Sequence, residues 1–222
     1  LVGFLIFPCQ ILTYSISNSV IRRLPRYHRF LGDLEKNGYV RISSRELSEK
    51  MGLTASQIRQ DFNCFGEFGQ QGYGYNVSDL RKEIGKILGL DKQTPMILLG
   101  AGNLGTAIAS HLDFQSKGFL LIGAFDVNPQ LIGKKIGKVT VKNLSELEQF
   151  CKENSPVAAI LCVPTAAAAK MTEVLIDYGI KAFWNFTHYD IKINHENVTV
   201  ENVHLGDTLS YGINSIENNE DI

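Results

Sequence analysis

A glycine motif in the second half of the chain most restricts how these 222 residues can fold. A short apolar run, 96–99, predicts a buried strand, and a G-x-G-x-x-G pattern follows it before a helix-favouring segment. The first glycine of such a pattern makes a tight turn, the second lets the backbone approach a pyrophosphate, and the third lets helix and strand pack closely. The unpaired N–H groups of the helix start then hold the phosphates. The pattern alone is a weak signal, but it makes the turn residues candidate dinucleotide contacts: Gly100, Ala101, Gly102, Asn103, Leu104 and Gly105.

An acidic residue strengthens this interpretation. The apolar segment 119–126 predicts a second strand, and it ends at Asp126, about 20 residues after the last glycine. A dinucleotide-binding fold places there the carboxylate that accepts hydrogen bonds from a ribose diol. An acid at this position favours NAD over NADP. The alternative is that Asp126 only caps the turn in the sequence D-V-N-P.

Strands and helices continue to alternate to the end of the chain. The patterns predict a helix at 144–153 capped by Asn143, a helix at 165–178 ended by Gly179, and strands at 139–141, 157–163, 181–186 and 198–202. This order is typical of an α/β fold with a Rossmann-like, doubly wound parallel sheet. Such folds bind ligands at the carboxyl ends of their strands. The residues expected to face the nicotinamide end are Val163, Pro164, Thr165, Asn185, Phe186 and Thr187.

The first half of the chain has a different character. An apolar face predicts a helix at 24–37, with Pro25 in its first turn. Ser43 and Glu46 form one capping box, and Gly52 closes the short helix that they start. Thr54 and Gln57 form a second capping box almost at once. Two short helices joined by the residues 52–54 have the spacing of a helix-turn-helix.

The second of these helices has a polar outer face. Its inward positions are Ala55, Ile58, Phe62 and Phe65. Glutamine, arginine and asparagine side chains read base edges in the major groove, and the N-terminal part of a recognition helix reaches them. The candidate base contacts are Ser56, Gln57, Arg59, Gln60 and Asn63. An ordinary solvated helix face is the open alternative.

Glycines alternate with aromatic residues between 65 and 77, which predicts a hairpin with its turn near 70–72. A hairpin directly after a recognition helix is a wing, which contacts the DNA backbone or minor groove. A helix with Ser78 as its cap and Gly89 as its stop completes a winged-helix domain. The candidate wing contacts are Gln70, Gln71, Gly72 and Tyr73, and the first helix offers phosphate contacts through Arg22, Arg23, Arg26 and Arg29.

The charge balance separates the same two halves. Residues 1–90 carry 12 Lys and Arg against 8 Asp and Glu, and residues 91–222 carry 10 against 15, so the net charges are +4 and −5. A basic half indicates contact with a polyanion.

The four cysteines form no C-x-x-C pair, which argues against a zinc finger and a disulfide scaffold and favours a reducing cytosol. The apolar segment 1–16 is expected to be buried or to face a partner, with a signal peptide as the alternative.

Taken together, these motifs resemble the Rex family of redox-sensing transcriptional repressors. The resemblance runs from about Val20 to Ile216 and is carried by "RRLPRYHRFL", "FGEFGQQGYGYNV", "LLGAGNLG" and "AFDVNPQLIG". It implies a cytoplasmic homodimer that binds a palindromic operator and is released when NADH replaces NAD+. It also implies that a C-terminal helix is exchanged between subunits. The expected domains are a winged helix at 1–90, with 1–18 of unknown role, an NAD(H)-binding domain at 91–204, and a dimerisation helix and tail at 205–222.

Four positions depart from what the resemblance implies. His111 stands where the family has tyrosine, at a position linked to the ligand. His204 stands in place of an acid that would pair with Arg29 when the dimer switches, His188 replaces a proline, and Gln71 replaces a basic wing residue. We therefore expect an altered response to NADH.

Two other functions agree with parts of the pattern. An NAD-dependent dehydrogenase would need a proton donor beside a substrate carbonyl, and the sequence contains no Tyr-x-x-x-Lys. A regulator that senses another nucleotide, such as coenzyme A, would use the same fold.

Overall fold

The computed structural model describes residues 16–64, 69–70, 73–204 and 206. The chain divides into two compact units, one ending at Lys92 and the other beginning at Gln93. The apolar segment 1–15, Phe65, and the expected C-terminal helix apart from Gly206 lie outside the described residues.

The N-terminal unit consists of four helices and a small antiparallel sheet. Its elements are α1 (Asn18–Lys36), β1 (Arg41–Ile42), α2 (Ser44–Met51), α3 (Ala55–Asn63), β2 (Gly69–Gln70), β3 (Gly74–Asn76) and α4 (Val77–Ile87). The strands lie in the order β1-β3-β2, with both pairings antiparallel. The predicted helix-turn-helix is therefore α2 and α3, and the predicted hairpin is β2 and β3.

Local side-chain caps explain where the two short helices begin and end. The Ser43 hydroxyl accepts from the N–H of Glu46, and the Glu46 carboxylate accepts from the N–H of Ser43, so the predicted capping box is confirmed. Gly52 ends α2 in the left-handed conformation, with φ of 64°, which glycine adopts without steric cost. Thr54 caps α3 by accepting from the N–H of Gln57. The second capping box is wrong in one respect, because the Gln57 side chain donates to Asp61.

Two predicted helix starts are also wrong. Helix α1 begins at Asn18 behind the cap Ser17, so Pro25 lies inside the helix and not in its first turn. The helix continues through Pro25 because the apolar face on both sides of it is buried. Asn76 caps α4 by accepting from the N–H of Asp79, two residues before the predicted cap Ser78.

The core of this unit packs α1 against α3 and the small sheet. Tyr27 and Phe62 are fully buried and meet edge to face at 5.0 Å between ring centroids. Phe62 makes the same contact with Tyr75 of β3. Ile58 is buried as predicted, whereas Ala55 is only half-buried because it lies at the margin of the packed face.

Gly74 sets the close approach of the hairpin to β1. Its φ is 68°, and a Cβ atom there would overlap the backbone carbonyl of Ile42. Only glycine satisfies both the backbone angle and the contact. Strand β1, which contains only Arg41 and Ile42, was not predicted from the sequence.

The C-terminal unit is a seven-stranded sheet with helices between its strands. Its elements are β4 (Thr94–Leu99), α5 (Asn103–His111), β5 (Phe119–Asp126), β6 (Lys135–Ile136), β7 (Val139–Asn143), α6 (Leu147–Asn154), β8 (Ala158–Leu161), α7 (Thr165–Asp177), β9 (Ala182–Asn185), α8 (Ile191–Asn194) and β10 (Thr199–Asn202). Strand β6 and helix α8 were not predicted. The segment predicted as one helix from Leu144 begins as a 3-10 turn before α6.

The strand order defines the topology. The strands lie in the order β10-β9-β8-β4-β5-β7-β6, and every pairing is parallel except that of β6 with β7. Without β6 this is the doubly wound Rossmann order, with its switch point between β4 and β8. Fully buried apolar residues fill the sheet, among them Ile97, Phe125, Leu161 and Phe183. The carboxyl ends of β4 and β8 therefore meet where such folds bind ligands.

Candidate functional site

The glycine turn after β4 uses its three glycines in different ways. Gly100 has φ of 90°, and a Cβ atom on it would overlap the carbonyl of Cys162, which follows β8. A Cβ atom on Gly105 would overlap the carbonyl of Gly100. A Cβ atom on Gly102, in contrast, would have no atom of residues 16–64, 69–70, 73–204 and 206 within 4 Å of it. The fold itself thus requires Gly100 and Gly105, while Gly102 leaves space outside the turn.

Two helices that begin beside the switch point lack side-chain caps. Gly102 precedes α5 and Pro164 precedes α7, and neither makes a side-chain hydrogen bond to its helix. Helices α1 to α4 of the other unit are all capped by Ser, Thr or Asn side chains. The first-turn N–H groups of an uncapped helix are ready donors to an anion. The turn and the start of α5 therefore have the geometry of a phosphate-binding site.

Asp126 connects the end of β5 to this turn. One carboxylate oxygen accepts from the N–H of Ala101 at 2.7 Å, and the other accepts from the N–H of Asn128 at 2.8 Å. The side chain thus caps its own turn, as the alternative interpretation held, and also braces the glycine turn. Each oxygen keeps a second lone pair, and the residue is half-buried, so it can still accept from a ribose hydroxyl.

An open cleft of about 580 Å³ lies along the outer face of α5. It runs from Ala101 and Gly102 to His111, and the loop after β5 closes its other side with Asn128 and Leu131. Its remaining lining residues, Asn103, Thr106, Ala107 and Ser110, share helical spacing with the glycine turn or with His111. That spacing is the sequence signal that would have found Thr106, Ala107 and Ser110, which were not predicted.

The residues after β8 and β9 divide into two groups. Pro164 and Thr165 are not buried and Val163 is half-buried, so they remain available to a ligand. Asn185 and Thr187 are buried, and their side chains bond within the protein, so their contact with a coenzyme stays a prediction. The Asn185 amide donates to the Tyr189 carbonyl and to Asn202, and its oxygen accepts from both the N–H and the hydroxyl of Thr187. These bonds use every polar group of Asn185 to hold the loop after β9.

Phe186 follows β9 and is half-buried against Trp184, with ring centroids 4.7 Å apart. Next to this loop, the rings of His188 and His204 lie stacked and parallel, 5.4 Å apart. Two of the three histidines that depart from the family pattern are thus neighbours, at the ends of adjacent strands β9 and β10.

Cys162 borders the glycine turn but is a poor redox centre. Burial raises the pKa of its thiol to about 12. A protonated thiol is neither a good nucleophile nor readily oxidised. Redox sensing at this site would therefore depend on a bound coenzyme and not on cysteine chemistry.

The N-terminal unit presents the expected polar face of α3. The exposed side chains of this helix are Ser56, Arg59, Gln60 and Asn63. Arg59 also donates to the Ser44 hydroxyl at 3.1 Å, which ties its guanidinium to the start of α2. These residue types on one face can donate to and accept from base edges.

Three predicted DNA contacts also have partners inside the unit, and their contact with DNA stays a prediction. Arg23 forms a two-pronged ion pair with the buried carboxylate of Asp61. Gln57 donates to the same carboxylate, and Arg26 donates to the Met51 carbonyl. No local pattern in the sequence indicates the ion pair, because Asp61 lies 38 residues from Arg23. Arg22, Arg26 and Arg29 are exposed on α1, and Arg23 is half-buried.

The predicted wing is partly described. Gln70 lies in β2, Tyr73 is 71% exposed just before β3, and Gln71 and Gly72 lie outside the described residues. Arg41 of β1, which was not predicted, donates to the Tyr73 carbonyl at 3.2 Å. The Arg41 guanidinium therefore contacts the backbone of an exposed aromatic residue just before β3.

The fold and these sites define a transcription regulator that joins a winged-helix unit to a Rossmann-like unit. Residues 15–63 match the family described as "Putative DNA-binding protein N-terminus", and residues 91–189 match the one described as "CoA binding domain". Among the described residues, no helix combines the length and apolar character needed to cross a bilayer.

Relatives identify the family. The redox-sensing transcriptional repressor Rex of Clostridium tetani is 51% identical over 206 residues, which cover 91% of this chain and 97% of the relative. The Rex protein of Thermoanaerobacter pseudethanolicus is 54% identical and covers 91% of each chain. The chain therefore belongs to the Rex family of redox-sensing transcriptional repressors, and it is a regulator and not a dehydrogenase.

The solved structures that this chain resembles agree with the family assignment. A crystal structure of RSP in complex with beta-NAD+ and operator DNA is 53% identical, covers 92% of this chain and 95% of its own, and superposes with a TM-score of 0.85. A crystal structure of RSP in complex with beta-NADH is 50% identical, covers 93% and 98%, and superposes with a TM-score of 0.82.

Proposed function

We propose that this chain is a cytoplasmic repressor that binds palindromic operator DNA as a homodimer and leaves it when NADH replaces NAD+. The C-terminal unit holds the coenzyme and the N-terminal unit holds the DNA. The related RSP structures, one with beta-NAD+ and operator DNA and one with beta-NADH, support both ligands for the family.

The open space at Gly102 carries the coenzyme assignment. The described part of the fold has no need for glycine there, since a Cβ atom at this position would meet none of its atoms within 4 Å. A pyrophosphate that approaches the backbone at position 102 would explain why the residue there has no side chain. The uncapped start of α5 would donate to it, and Asp126 would accept from the ribose on the same side of the sheet.

The exposed face of α3 and the hairpin support the DNA assignment. In a dimer, two recognition helices must lie one helical turn of DNA apart, about 34–36 Å, to enter successive major grooves. NADH would release the operator by binding better to a dimer arrangement that does not match this spacing, because a ligand shifts an equilibrium only through its differential affinity.

A titration tests the proposal. The protein first selects its palindromic operator from random DNA. The selected operator is labelled with a fluorophore and bound by the full chain, and its fluorescence anisotropy is measured as NADH, NAD+ or coenzyme A is added. We expect NADH to release the DNA at concentrations at which NAD+ and coenzyme A leave it bound. Release by coenzyme A alone, or failure to select any palindrome, would contradict the proposal.

A further inference from the structure

The buried carboxylate of Asp61 lies on the inner face of α3, the helix proposed to read DNA, and accepts four hydrogen bonds. Its Oδ2 accepts from Arg23 Nε at 2.6 Å and from the Tyr27 hydroxyl at 2.7 Å. Its Oδ1 accepts from Arg23 Nη2 at 2.7 Å and from Gln57 Nε2 at 2.8 Å. Asp61 itself is fully buried. A carboxylate has about four acceptor positions, so this arrangement fills them all.

The carboxylate is ionised in this setting. Burial alone would raise the pKa of Asp61, but hydrogen bonds from Arg23, Tyr27 and Gln57 outweigh it and hold the pKa below its ordinary value. Arg23 also neutralises the negative charge, which would otherwise repel phosphates near the recognition helix. An ionised carboxylate only accepts hydrogen bonds.

This property fixes the direction of the Gln57 carboxamide. The amino group of Gln57 must point at Asp61, because its oxygen would meet another acceptor there. Gln57 sits in the first turn of α3, at the border between the buried residues Ile58 and Asp61 and the exposed residue Gln60. Its oxygen is therefore the end of the amide left to face outward.

We propose that Asp61 is a positioning residue for operator recognition: it orients Gln57 so that the glutamine presents its carbonyl oxygen to the DNA. The inference rests on the proposed function, in which α3 enters the major groove. An outward carbonyl oxygen accepts from an exocyclic amino group, which adenine N6 and cytosine N4 offer in that groove. Gln57 thus selects a base that carries an amino group at one position of the half-site.

The test measures discrimination at each base pair. Every position of the selected half-site is substituted in turn, and anisotropy gives the dissociation constants for the full-length wild type, Gln57→Ala and Asp61→Asn. Gln57→Ala identifies the base pair at which discrimination is lost. An amide at position 61 offers Gln57 either an oxygen or an amino group, so we expect Asp61→Asn to lose about tenfold discrimination at that same pair.

The matched control is Glu83→Gln, which makes the same chemical change in the ion pair with Lys86 on α4. For each substituted base pair, this variant should keep the wild-type ratio between the dissociation constants of the substituted and the unsubstituted operator. A purely structural role for Asp61 would weaken all operators equally and leave each ratio unchanged, and that result would overturn the inference. If Asp61→Asn does not fold, Gln57→Glu tests the proposed acceptor, because a carboxylate at position 57 presents oxygens only and accepts from the same base amino group. The variant should keep the preference for an amino-bearing base at that pair, and a preference for a base without an amino group there would overturn the inference.

Two further outcomes separate this inference from the proposed function. If the wild type selects no palindrome, the proposed function itself is wrong. The wild type could instead bind its operator while Gln57→Ala leaves discrimination unchanged at every base pair. Gln57 then does not read a base, and only the inference is wrong.

Discussion

Gly102 and Gly105 lie three positions apart in one motif, but different surroundings require them. A Cβ atom on Gly105 would overlap the Gly100 carbonyl, so the packing of α5 on β4 depends on this glycine. Gly102 has an ordinary φ of −65° and open space around it. Stability and ligand binding are therefore separable within a single turn.

We expect Gly102→Ala to change the free energy of unfolding by no more than about 1 kcal/mol, since alanine fits both the angle and the space. The added methyl group would keep a pyrophosphate from the backbone, so NADH affinity should fall at least about tenfold, a loss of about 1.4 kcal/mol. Isothermal calorimetry and urea denaturation measure the two effects. Gly105→Ala is the comparison and should cost about 1–3 kcal/mol of stability by overpacking. Equal NADH binding by Gly102→Ala and wild type would contradict the assignment of the turn.

The sequence predicted the local geometry where a motif specifies the backbone. The glycine turn and Asp126 lie together as expected, because strand, turn and helix spacing determine their positions. Asn185 and Thr187 were chosen only because they follow a strand, and no local pattern shows that their polar groups bond to each other. The partners of Arg23 are equally invisible, because a contact between α1 and α3 depends on the tertiary fold.

Among the helices, α1 carries an internal proline at Pro25, seven residues after its first residue Asn18. Proline has no N–H to donate to the carbonyl of Ile21, and its ring crowds that carbonyl. Pro25→Ala should therefore raise the free energy of unfolding of the N-terminal unit by about 2 kcal/mol, less than the full helix preference of about 3 kcal/mol because alanine also frees the unfolded chain. Hydrogen exchange of the α1 amides measures the change. A loss of protection in the variant would show that the proline geometry is needed.

The contact between α1 and α3 through Asp61 predicts a response to acid. Because the folded pKa of Asp61 lies below its ordinary value, its contribution to stability is complete above about pH 4 and is lost as pH falls through the folded value. In Asp61→Asn this part of the pH dependence should be absent. Hydrogen exchange of the α1 and α3 amides between about pH 6 and acid conditions, compared between the two proteins, measures the difference. Parallel pH curves would contradict the ion pair.

Element types and order were predictable, and the shortest elements were not. Strands β1 and β6 contain two residues each and α8 contains four. Segments of this length show no period of two or of 3.6 residues, so pairing partners elsewhere in the chain decide their structure. Cap chemistry predicted the limits of α2, whereas the start of α1 was missed because Pro25 suggested a first turn.

At the scale of the whole molecule, the two units carry different candidate sites. The basic unit has the exposed Arg59 on α3, and the acidic unit has the glycine turn and a protonated Cys162. A repressor with this organisation senses redox state because the oxidised and the reduced coenzyme affect its binding to DNA differently. Its sensitivity then depends on contacts that form in only one state of the dimer, and the family resemblance implies that an acid at position 204 makes such a contact with Arg29.

His204 therefore predicts a weakened response in this chain, and His204→Glu should strengthen it. A glutamate that pairs with Arg29 only in the released state would stabilise that state by about 0.2–1 kcal/mol, the range for an exposed ion pair. A dimer has two such contacts and two NADH sites, so the NADH concentration for half-release should fall by the factor for one contact, about 1.4- to 5-fold. His204→Gln is the matched control, because it also removes the ring stacked on His188 but adds no charge. Adding Arg29→Gln to the glutamate variant should cancel the gain, as a double-mutant cycle requires of a paired contact. If glutamate and glutamine shift the NADH titration equally, loss of the histidine stack and not a new ion pair explains the change, and the switch in this chain does not use Arg29.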